Sequence, residues 1–113
     1  MRDANERYAI WPRRLTETVL GSPGHTSIEL RRAIAGRAAR LEERAETGDG
    51  VPESLATYVD KIARRAYEIT DADLEGLHRA GNSDDVLFEV TVSAALGAAL
   101  ARLERGLAAL RGA

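Results

Sequence analysis

The chain has no cysteine, and only one lysine, one tryptophan, one phenylalanine and three prolines. Without a thiol there can be no disulfide, no thiolate metal ligand, no redox pair and no cysteine nucleophile. Charge of one sign is not concentrated anywhere. The formal net charge is -2, and arginines alternate with acids along the chain. A nucleic-acid binder would show a basic patch or stripe, so no nucleic-acid partner is expected. The opening MRDANERYAIWPRR lacks the apolar stretch of a signal peptide, so a cytoplasmic location is expected. No alternation of apolar and polar residues marks a strand. Walker, Rossmann, zinc-protease and Ser-x-x-Lys patterns are missing too, and neither His25 nor His78 has neighbours spaced as metal ligands. No metal site and no cofactor are expected.

What remains is helical sequence in a single domain, residues 1–113. Residues 1–20 read as a polar, frayed N-terminal arm running into a short helix. Pro12 sits in the first turn of that helix, where its missing N–H costs nothing. Trp11, Leu15 and Val19 follow at spacing four on one face, with Trp11 as the anchor of the arm. Gly21-Ser22-Pro23-Gly24 is a loop. A helix over 27–46 carries the stripe Leu30, Ile34, Ala38, Leu41 and Ala45, and Arg40 with Arg44 forms a conceivable phosphate-binding face. After Gly48-Asp49-Gly50, Pro52 opens a helix over 52–69 with Leu55, Val59 and Ile62 inward and Tyr58, Arg64 and Arg65 on the remaining surface. Thr70 and Asp73 form a short-acid capping box for a helix over 71–80, which Gly81 ends by entering the left-handed region.

The rest is organised around the last helix, over 84–110. Ser83 caps it, and Asp84 and Asp85 suit the positive end of its dipole. From 90 to 101 the sequence VTVSAALGAALA has no charge at all. That uncharged run is shorter than the ~20 residues needed to span a bilayer, so no membrane association is expected. A helix apolar on every side must be covered on every side. So short a chain offers few covering helices, so a homo-oligomer is expected. The small residues Ala94, Gly97, Ala98 and Ala101, together with Trp11, are the candidate interface positions. Beyond Arg102, the side chains of Leu103, Leu107 and Leu110 are expected to point inward.

Residues 58–110, and above all YEITDADLEGLHRAGNSDDVLFEVTVSAALGAALARL, resemble the second half of the alkylhydroperoxidase-like, carboxymuconolactone decarboxylase-like proteins. The shared pattern is a Thr-Asp cap, a short helix ending in Leu-x-x-x-Gly, then Ser-Asp-Asp and a long helix. The resemblance implies an all-α fold, a compact bundle of about five helices, and ring-like homo-oligomers. Catalytic members carry a Cys-x-x-Cys pair with a Glu and a His on an upstream helix. Here that helix is ELRRAIAGRAARLEERA, so no peroxidase residue carries over, because a thiol peroxidase needs its thiolate.

Three functions compete at this point. The first is a non-redox, cysteine-free oligomeric member of that group, binding a small molecule between helices. The second is a decarboxylase-type lyase. In it Glu89, its pKa raised by burial beside the apolar run, works with Arg64 or Arg65 on a substrate carboxylate. The third is an interaction module docking through the Trp11 arm. A DNA-binding helix–turn–helix over 71–89 is excluded by the acids at the start of its second helix.

Overall fold

The computed structural model describes residues 2–40 and 48–112, with side chains from residue 10 onward within those limits. Among the described residues there are five α-helices and no strand: α1 (Arg2–Gly21), α2 (Ile28–Ala39), α3 (Glu53–Arg65), α4 (Asp71–Arg79) and α5 (Asp84–Gly112). A single 3-10 turn, Ala66–Glu68, joins α3 to α4. The all-α bundle with a long C-terminal helix is the architecture expected.

Local capping chemistry sets most of the helix boundaries. Ser27 accepts the Leu30 N–H at 3.0 Å and starts α2. Both halves of the Thr70–Asp73 capping box form, with Thr70 N donating to Asp73 Oδ2 at 2.9 Å. Asp73 also takes a 2.7 Å bond from Lys61, so the cap of α4 is fastened to α3. Gly81, at φ +99°, turns the chain out of α4, and Ser83 accepts the Val86 N–H at 3.2 Å to open α5. A residue with a Cβ would be strained at that φ.

At about 1.5 Å per residue, the 29 residues of α5 run for most of the 50 Å long axis of the molecule. Helix α2 packs along α5 so closely that a Cβ on Gly97 would stand 2.1 Å from the Ala35 carbonyl oxygen. Ile34, Val59, Val90 and Ser93 are fully buried where α2, α3 and α5 meet. Leu20 at the end of α1 makes a second, smaller cluster with Ala35 and Leu96. A polar clamp reinforces the junction of α2 and α3. Arg37 donates to both oxygens of Asp60, at 2.7 and 2.9 Å, and to Asp49 at 3.0 Å. These bonds, the one to Asp60 foremost, raise the Arg37 pKa. Asp49 loses water, which alone would raise its pKa, but the Val51 N–H and Arg37 outweigh this and lower it.

Several expectations are corrected. Helix α1 starts at Arg2, with Pro12 inside it in place of the first turn. A proline there forfeits one backbone bond, and the Thr16 hydroxyl donates to the Pro12 carbonyl at 2.7 Å one turn on. Pro52 stands at the N-cap of α3, one residue before the helix, and α3 itself stops at Arg65. Helix α2 ends at Ala39; Leu41, Arg44 and Ala45 lie outside the described residues. Tyr58 is buried, and its hydroxyl donates to Thr91 Oγ1 at 2.6 Å while Thr91 donates to the Leu87 carbonyl. The last turns of α5 overshoot the body, so Leu103 and Leu110 are exposed and do not point inward.

Candidate functional site

Glu89 occupies one end of the α2–α5 contact. It accepts from His25 N at 2.7 Å, Thr26 N at 2.8 Å and the Thr26 hydroxyl at 2.6 Å. Arg31 Nε lies 3.9 Å away. The Glu89 side chain is 16% exposed. Loss of water pushes its pKa up, but the Thr26 hydroxyl, the His25 and Thr26 amides and the Arg31 charge together outweigh this and hold it at about 2. The expectation of a raised pKa is therefore corrected: desolvation is present, and three donors exceed it.

Arg31 is the buried partner that the sequence reading missed. Its guanidinium donates to the carbonyls of Val19, Ser22 and Thr26. Val19 lies in the last turn of α1, where free carbonyls and the negative dipole end attract a cation. Glu89 thus satisfies amides and Arg31 satisfies carbonyls of the same loop, fixing α1 to α2 and both to α5. The signal was present: Arg31 stands three and four residues before Ile34 and Ala35, on the buried face of α2. Neither arginine foreseen beside Glu89 is there. Arg65 pairs with Glu68 at 3.3 Å, and Arg64 lines a cleft elsewhere. One turn beyond Glu89, the fully buried Ser93 hydroxyl has no hydrogen-bond partner among the described residues.

That cleft, about 1300 Å³, opens between α2, α3 and α5. Its floor is small and apolar, including Ala35, Ala38, Ala63, Ala98 and Ala101. Its rim is basic: Arg32 from α2 and Arg40 at its C-cap, Arg64 from α3, Arg102 and Arg105 from α5, against one acid among the described residues, Glu104. Arg102 donates to the Ala63 carbonyl at 2.6 Å near the end of α3. Arg40 folds back over Gly36, its guanidinium within 3.0 Å of where a Cβ would stand.

The candidate interface residues divide. Ala94, Gly97 and Ala98 are buried inside the chain. As surface for another subunit they are corrected: helix α2 already covers this part of the small-residue stripe, and Gly97 is what lets its backbone in. Ala101 is half-buried on the cleft floor. Trp11 is 69% exposed on α1, so it is not packed into the body of the described residues, and Ile10 and Leu15 beside it are exposed as well. On α5, Phe88 is 69% exposed, and Ala95, Ala99 and Leu103 continue from it at helical spacing. Over its uncharged run, 90–101, the long helix is therefore covered on most of its sides, and beyond it the last turns stand largely exposed.

By length and composition α5 also qualifies as a helix able to cross a membrane. Its Glu89 and Arg102 are instead bonded to the neighbouring loop and to α3. Among the described residues no three His, Asp or Glu side chains gather as a metal would require. No family model, no curated protein and no solved structure matches the chain.

Proposed function

We propose that the protein is a non-redox, homo-oligomeric helical protein that holds a small molecule between its helices. The observation that carries the assembly is the pair of uncovered apolar lines, Ile10, Trp11 and Leu15 on α1 and Phe88 to Leu103 on α5. Large apolar side chains left in water at this density mark a surface awaiting a partner, and a second copy is a partner always present. The cleft between α2, α3 and α5 supplies the space for the small molecule. A cytoplasmic location goes with this reading. The capped pair α4–α5 accords with the alkylhydroperoxidase-like resemblance, and the proposed function stands without the family.

Trp11 is the sole tryptophan, so its fluorescence reports this surface alone. On dilution from concentrated solution its emission is expected to shift to the red as subunits separate, and Leu15→Glu is expected to show the red-shifted spectrum throughout. Emission already red and independent of concentration in the parent protein contradicts burial of the arm by a second copy.

The interaction-module reading shares the Trp11 observation. It differs in one outcome: the arm then stays exposed in the purified protein at every concentration.

A further inference from the structure

The cleft has two linings of opposite character, and they sit on different levels. Among the described residues, five guanidiniums from α2 and its C-cap, α3 and α5 line its mouth against a single carboxylate, in a chain whose formal net charge is -2. Like charges gathered in this way repel one another unless an anion lies among them. Arg102 is tied to the Ala63 carbonyl, which fixes its head group at the rim. Arg32 on α2 and Arg40 at its C-cap, eight residues apart, make no ion pair among the described residues. A guanidinium offers parallel N–H groups that match the oxygens of a carboxylate or phosphate.

Below the rim the chemistry changes. Helices α2 and α5 touch at Ala35 and Gly97, and the floor between them is mostly alanine, with Leu20 and Leu100 beside it. Short side chains leave a trough, and among the described residues no hydroxyl or amide side chain lines it. A small inorganic anion would find partners at the rim and none beneath. A neutral oily molecule would fill the floor and give Arg32 and Arg40 no counter-charge.

We propose that the cleft takes an amphiphilic anion, a carboxylate or phosphate head held by Arg32, Arg40 and Arg105 with an acyl or aryl body laid on the alanine floor. This rests on the reading that the cleft holds a small molecule, and it names the chemical class. At about 1300 Å³ the space somewhat exceeds the roughly 300–1,000 Å³ of common ligand sites, room enough for a medium-length chain.

The test is calorimetric titration of the full chain with decanoate, decyl phosphate, 1-decanol, decyltrimethylammonium and inorganic phosphate, each below its aggregation limit. Saturable binding of at least one of the two decyl anions, at one per chain, is expected, with at least tenfold weaker binding of the other three probes. Which decyl anion binds better separates a carboxylate ligand from a phosphate one. In Arg32→Gln/Arg105→Gln, both exposed positions, affinity for the anions is expected to fall at least tenfold with the melting curve unchanged. Ala101→Phe, which fills the floor, is expected to weaken the decyl anions and leave inorganic phosphate as it was. Decanol bound as tightly as decanoate overturns the anionic class while keeping a small-molecule cleft. Inorganic phosphate bound as tightly as decyl phosphate overturns the role of the floor. No saturable binding of either decyl anion overturns the inference outright, whatever the variants do.

Discussion

Glu89 accepts from three donors and faces a buried arginine, so removing its charge affects the junction of three helices together. Glu89→Gln keeps one acceptor oxygen but sets an amide N–H against loop donors and leaves Arg31 without its counter-charge. The expected cost is about 2 kcal/mol, read as a fall of roughly 10 °C in the thermal midpoint for a domain of this size. A residue kept for catalysis alone would leave the midpoint in place. The pH dependence follows from the same geometry. With its folded pKa depressed to about 2 from an ordinary 4.5, the contribution of Glu89 is complete above about pH 5 and is lost as pH falls toward 2. Acid unfolding followed by circular dichroism should therefore be steeper in the parent protein than in Glu89→Gln. Ser93 is the opposite case. Its buried hydroxyl is unpartnered, a desolvation cost with no bond in return. Ser93→Ala is expected to raise the thermal midpoint, corresponding to about 1 kcal/mol; a lower midpoint would mean that the hydroxyl is satisfied in solution.

At the scale of elements, the contact of α2 with α5 depends on one missing methyl group. A Cβ at position 97 meets backbone, which cannot swing aside as a side chain can. Gly97→Ala improves intrinsic helix propensity by about 1 kcal/mol against an overpacking cost of about 1–3 kcal/mol, so a net destabilisation of up to about 2 kcal/mol is expected, and urea unfolding measures the balance. The two ends of α4 and the start of α5 were readable because caps are local: Thr70 with Asp73, Gly81 and Ser83 act within four residues of themselves. The start of α1 was not, since Pro12 suggests a first turn and nothing nearby says that the helix continues through it. Tyr58 and Arg31 were misread for a different reason. Both carry polar ends, and only the partners across the fold, Thr91 for one and the α1 carbonyls with Glu89 for the other, make their burial affordable. The arginines of the cleft stand on three helices separated in sequence, so periodicity along any one of them shows a solvated face and no more.

Over the whole molecule, the uncharged run of α5 suggested a helix needing cover on all sides, and the bundle itself provides more of that cover than expected. Helix α2 takes the small-residue face, α3 takes another, and the end of α1 closes over Leu96. Among the described residues the large apolar side chains left open lie elsewhere: Phe88, Leu103 and Leu110 on α5, Ile10, Trp11 and Leu15 on α1, and Tyr67 after α3. The proposed self-association therefore rests on the exposed side chains of α1 and α5 and no longer on Ala94, Gly97 or Ala98. Light scattering coupled to size-exclusion chromatography, across a hundredfold range of protein concentration, tests this most directly. The mass is expected at an integral multiple of the 12.2 kDa chain, falling toward one chain in a Leu15→Glu/Phe88→Glu variant that keeps its helical spectrum. A mass of 12.2 kDa for the parent protein at every concentration would contradict it.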